Sequence, residues 1–126
     1  MSHAVVWLDH HEARIYPLSS PTLAKQIITT PYHPQRHHPA TLVSDKAEPG
    51  DVKKFFHSIA TALAGYLHIL VVGPSTAKSA FHNYAVEHDK SLATRISAVQ
   101  TVDHPTDGQI AALGREYYRL DTELQT

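Results

Sequence analysis

Two short runs of the chain, AVVWL at residues 4–8 and ILVV at 69–72, carry no polar residue. A strand points successive side chains to opposite faces, so a run of this kind is apolar on both faces and demands cover on both. The second run also constrains the segment after it. Residues 68–81, HILVVGPSTAKSAF, pass from that strand through a Gly-Pro-Ser-Thr-Ala-Lys turn into a helical pattern, the strand-to-helix corner of an α/β fold.

The remaining segments fall into order around these two. ARIYPL (13–18) follows the first strand across the polar link Asp9–Glu12 and predicts a hairpin, and KQIITT (25–30) predicts a third, more peripheral strand, with Pro17 and Pro21 near its entry. Residues 31–50, PYHPQRHHPATLVSDKAEPG, hold four of the eight prolines and no periodicity, which predicts a long loop, functional or disordered. Val52, Phe55, Phe56, Ile59, Ala60 and Leu63 then form one helical stripe, begun by Asp51 and ended near Gly65. A second helix, with Ser75 or Thr76 as N-cap, is expected to turn Ala77, Phe81, Tyr84, Ala85 and Leu92 inward. ISAVQTV (96–102) reads as the fifth strand, and Thr106 as the cap of a third helix whose inner face is Ile110, Leu113, Tyr117 and Leu120. The expected architecture is α/β: a five-stranded mixed sheet in the order β-β-β-α-β-α-β-α, the first strand central and helices on the faces, as in ribonuclease H-like folds.

Length and charge bound the function. The 126 residues make one domain, large enough to bury roughly two-thirds of its unfolded surface. Eleven Lys and Arg against twelve Asp and Glu leave a formal charge of −1, so any polyanion site must be local rather than a property of the whole surface. The absence of cysteine excludes disulfides and thiolate zinc sites. The N-terminal stretch MSHAVVWLDHHEARIY has no basic lead and meets Asp9 after five apolar residues. It matches neither a signal peptide nor a membrane span, so the expected location is the cytoplasm, without a membrane partner.

Open α/β sheets place ligands at the carboxyl ends of their strands, here around Asp9, Gly73–Ser75 and Asp103–Asp107. GPSTAK lacks the second glycine and the Lys-Ser/Thr pair of a phosphate-binding P-loop. Gly73 is read as the turn, Pro74 as the helix entry, and Ser75, Thr76 and Lys78 as a candidate weak anion site at a helix N-terminus.

ILVVGPSTAKSAFHNYA followed by ISAVQTVDHPTDGQIAAL resembles the middle domain of archaeal and eukaryotic class-one peptide chain release factors and of pelota ribosome-rescue factors. The matching positions are Gly73, Pro74, Lys78, Phe81, Asp103 and Gly108. WLDHHEARIY with VVGPSTAK and VDHPTDGQ is similar also to small single-domain bacterial proteins grouped by fold with translational-machinery components. As topology, the resemblance covers nearly the whole chain and implies a translation-associated protein. In those factors the loop after the third strand carries Gly-Gly-Gln, whose glutamine admits the hydrolytic water in the peptidyl-transferase centre. Here the loop has no Gly-Gly-Gln. Asp107-Gly108-Gln109 follows the fifth strand instead, where Thr106 and Gln109 have the spacing of a capping box. The decoding and third domains of release factors also have no counterpart, so the resemblance implies neither stop-codon-dependent termination nor peptidyl-tRNA hydrolysis.

Three function classes remain. A two-metal nuclease needs a set of carboxylates around its ions, and only Asp9 and Asp103 stand at strand ends. A zinc or nickel site has candidate ligands in His33, His37 and His38 of the long loop and in Asp9, His10 and His11, although Pro34 and Pro39 argue against a helix that would align the loop histidines. A non-catalytic accessory protein binding ribosome or RNA, with no cofactor, is the expected function. Tyr32, Arg36, His37 and His38, with Lys53 and Lys54 beyond them, supply the stacking and phosphate-binding groups. The unprotected edge of KQIITT further predicts a homodimer paired through that strand.

Overall fold

The computed structural model describes residues 3–18, 25–30 and 49–120. Strands β1 (His3–Leu8), β2 (Glu12–Pro17), β3 (Gln26–Thr29), β4 (His68–Gly73) and β5 (Ile96–Thr101) form one sheet in the order β3-β2-β1-β4-β5. The first strand is central, as its two-sided apolar run requires. β1 and β2 pair antiparallel, as do β2 and β3, whereas β1–β4 and β4–β5 are parallel. The parallel pairs need crossovers. Helix α1 (Pro49–Ala62) leads into β4, and α2 (Ala77–His88) with the short α3 (Lys90–Arg95) leads into β5; α4 (Asp107–Tyr117) follows.

The alternation along the strands builds two cores. Ala4, Val6, Leu8, Ile15, Ile69 and Val71 pack on one face beneath Phe55, Phe56 and Ile59 of α1, Leu63 just beyond its end, Phe81 and Ala85 of α2, and Leu92 of α3. Val5, Trp7, Tyr16, Leu70 and Val72 pack on the other beneath Ile110 and Ala111 of α4. The α4 N-terminus carries the expected capping box. Gln109 N donates to Thr106 Oγ1 at 3.2 Å, and Thr106 N donates to Gln109 Oε1 at 2.9 Å.

Four local expectations are corrected. Leu92 is buried, yet it lies on a separate helix because Asp89 (φ −151°, ψ 79°) breaks the pattern and its carboxylate accepts from Leu92 N at 3.1 Å. An Asp side chain that bonds nearby amides competes with the helical ladder in this way. Helix α1 starts at Pro49, ahead of Asp51, since proline's missing N–H costs nothing in a first turn. On α4, Ile110 is buried as expected, together with Ala111 and Gly114, and Leu113 and, just beyond the helix, Leu120 pack partly buried against the same core, but Tyr117 is 40% exposed. Finally, no glycine among the described residues has a positive φ, so Gly73 is not needed for a left-handed turn. A Cβ there would stand 2.2 Å from the Leu8 carbonyl oxygen; glycine is required because β4 runs close to β1.

Candidate nucleic-acid interface

The carboxylates expected at the strand ends are held by their neighbours. Asp9 is a turn residue whose Oδ1 accepts from the amides of His11 (2.8 Å) and Glu12 (2.9 Å). Asp103 lies exposed with Oδ1 2.8 Å from His104 Nδ1, while its carbonyl accepts from Trp7 Nε1 at 2.9 Å. Among the described residues no three histidines and carboxylates come together as a metal site. Asp9, His10 and His11 therefore supply no such site by themselves; His10 instead faces Thr76, with Nε2 3.4 Å from Oγ1.

The candidate anion site is built differently from its expectation. Thr76 occupies the N-cap position of α2 but makes no side-chain capping bond. Lys78 is buried, 8% exposed, and folds its ammonium back onto the Ser75 carbonyl. Ser75 Oγ is buried without a hydrogen bond among the described residues. Asp107 is likewise occupied, tying α4 to the hairpin: Oδ1 accepts from Tyr16 OH at 2.7 Å, and Lys25 pairs with Oδ2. The bonds from Lys25 and Tyr16 hold its carboxyl below the usual carboxylate range. Burial, with the hydrogen bond to Asp107, pushes the Tyr16 hydroxyl up to about 12.

The open ground lies on the helical layer. Lys53, Lys54, His57 and Ser58 of α1 and Tyr84 and His88 of α2 line a cleft of about 640 Å³. Four of the six are nitrogen bases, and none is a carboxylate. Lys53 and Lys54 are exposed, and the ion pairs among the described residues involve neither. The nearest acid in an observed pair is Glu87, with Oε1 3.8 Å from His88 Nε2. The Tyr84 ring is seated between Phe56 (5.6 Å), Phe81 (6.5 Å, stacked) and His88 (5.0 Å), so the aromatic core fixes it in place at the cleft wall. Lys53 and Lys54, expected on sequence, are thus joined by His57, Ser58 and His88, for which the sequence predicts no role, and by Tyr84, expected only as an inward-facing residue of the second helix. The signal for the α1 residues was the helical spacing 53/57 and 54/58, the same period that marks the buried stripe, on the face turned away from it; Tyr84 sits at the edge of the α2 stripe and packs partly buried against the core. Tyr32, His33, Arg36, His37 and His38 lie outside the described residues.

No protein-family model matches the sequence, and no curated protein matches it. Solved structures do. Pelota of Thermoplasma acidophilum superposes with a TM-score of 0.56 at 17% identity, over 86% of this chain and 30% of its own. Pelota of Archaeoglobus fulgidus gives 0.53 at 16%, over 98% and 38%, and the archaeal translation termination factor aRF1 gives 0.53 at 13%, over 98% and 40%. The chain has a Pelota and release-factor middle-domain fold. It spans between 30% and 40% of the length of these structures. At such identities the likeness is one of fold. No Gly-Gly-Gln occurs in the sequence.

Proposed function

We propose that this protein is a non-catalytic, cytoplasmic accessory factor of translation that binds the ribosome or RNA and does not hydrolyse peptidyl-tRNA. The observation that carries the reading is the fold shared with Pelota and the termination factor aRF1, taken with a β3–α1 segment that lacks Gly-Gly-Gln. Its contacts are Tyr32, Arg36, His37 and His38 of that segment together with Lys53 and Lys54 of α1. No helix among the described residues is long and apolar enough to cross a membrane. Sedimentation with ribosomes through a cushion at rising salt is the test. Co-sedimentation at low salt that falls as salt rises supports the reading, whereas a protein left in the supernatant at every salt overturns it. Release of peptide from peptidyl-tRNA by the purified protein would refute the non-catalytic half.

Self-association through β3 belongs to the same proposal. β3 is an edge strand with Ile27 50% exposed. Thr30 N donates to His11 O at 3.0 Å, and hydrogen bonding alternates along an antiparallel pair. Ile28 N therefore points to β2, and the amides of Ile27 and Thr29 face outward, available to the same strand of a second copy. A monomer mass by light scattering at tens of micromolar protein would remove the dimer, and a dimer that survives Thr29→Pro would place its interface elsewhere.

A further inference from the structure

We infer that the cleft between α1 and α2 is a single-stranded RNA subsite, in which Lys53 and Lys54 take backbone phosphates and Tyr84 provides the face or edge against which a base rests. This rests on the proposal that the protein binds RNA, and it names the surface, the strandedness and the residues.

The volume of about 640 Å³ falls in the range of roughly 300–1,000 Å³ of pockets that enclose small ligands, enough for a nucleotide and its flanking phosphate. The chemistry of the wall then selects the ligand. Lys, Lys, His, His and Ser offer donors for anionic oxygens, and the lining contains no carboxylate to repel them. Lys53 and His57 are four residues apart on one helix, about 6 Å along its axis, a step like that between successive phosphates of an extended strand. Tyr84 is the aromatic group a sequence-tolerant single-strand site needs. Its ring is backed by Phe56 and Phe81, so little side-chain freedom is lost when a base packs on it. A duplex keeps its bases stacked inside and offers no face to Tyr84, so a single strand fits better. The net charge of −1 makes this local cationic wall the focus of attraction for a polyanion.

The test is fluorescence anisotropy of labelled hexauridylate on the full chain at several salt concentrations. Double-stranded RNA and poly-glutamate serve as competitors, and the wild type is compared with Lys53→Gln/Lys54→Gln and Tyr84→Leu. Saturable binding is expected, with the double variant lowering the salt slope by about 1.4, at about 0.7 for each phosphate no longer neutralised. Tyr84→Leu is expected to weaken binding about ten-fold without changing that slope. Thermal melts report whether Tyr84→Leu remains folded; the double variant alters only exposed side chains and keeps the test open if it does not. Wild-type protein that fails to bind hexauridylate overturns the inference, as does binding unaffected by the double variant or displaced as well by poly-glutamate as by RNA. The same variants in ribosome sedimentation separate the two claims. Ribosome binding that persists undiminished in the double variant sinks the cleft and leaves the accessory-factor reading standing. Hexauridylate binding by a protein that never sediments with ribosomes does the reverse.

Discussion

Gly73→Ala is expected to be among the most damaging one-methyl changes in the molecule. The added Cβ would stand 2.2 Å from the Leu8 carbonyl oxygen and 3.4 Å from the Leu8 carbonyl carbon, where ordinary contact begins near 3.4 Å. The end of β4 must therefore move about 1.2 Å away from β1. Both partners are backbone, so no rotamer change relieves the clash. β4 cannot move alone, because Gly73 O also accepts from Val102 N at 2.9 Å and Gly73 lies opposite Thr101 in β5. Overpacking of this kind costs about 1–3 kcal/mol, and weakening one or two strand bonds adds about 1 kcal/mol each. A total of about 3 kcal/mol results. With an unfolding entropy of about 2.1 cal/mol/K per residue, it corresponds to a fall in Tm of about 11 °C for a chain of 126 residues. Differential scanning calorimetry with urea titration measures it. Gly65→Ala is the control, since no heavy atom lies within 4 Å of its Cβ position and its φ is not positive; it should stay within about 0.5 kcal/mol of wild type. A Gly73→Ala protein melting within about 3 °C of wild type, less than 1 kcal/mol on this scale, would show that the close approach of β4 to β1 is not what requires glycine.

Thr106→Ala removes the capping box of α4 and should cost about 1 kcal/mol in urea titrations, while Gly108→Ala, in open space on the same helix, should stabilise by about 0.5 kcal/mol. Asp107 has its folded pKa depressed below the model-peptide value of 3.8 by Lys25 and Tyr16. The stability it contributes is present above that value and is lost as pH falls through the folded pKa, so acid melts of Asp107→Asn should decline less steeply below pH about 4 than those of wild type. Tyr16 is the opposite case. Its folded pKa is raised from 10 to about 12, so its contribution is complete below 10 and is lost as pH climbs from there through 12. Tyr16→Phe should flatten the alkaline limb of Tm against pH, and an unchanged limb would assign the loss to another group.

Much of the fold is legible in local periodicity. The unbroken apolar runs at Val5–Leu8 and Ile69–Val72 require strands covered on both faces, and the three helical stripes require helices to cover them; Thr106 and Gln109 carry the start of α4 in four residues. These features are set by side-chain direction and by bonds within one turn, which depend on neighbours in sequence. The hairpin turn at Asp9 is of the same kind, as its carboxylate reaches amides only two and three residues on. Other features depend on groups far apart in the chain. Gly73 meets Leu8 only because β1 and β4 run side by side, and Asp107 meets Tyr16 and Lys25 only because α4 crosses back over the hairpin. The cleft is the fullest case: Lys53 and Lys54 are visible as cations on a helix, but Tyr84 and His88 become their neighbours only when α1 and α2 pack on the same face of the sheet. Periodicity says which side of a helix faces out, and only the packing of one helix beside another says what that side confronts.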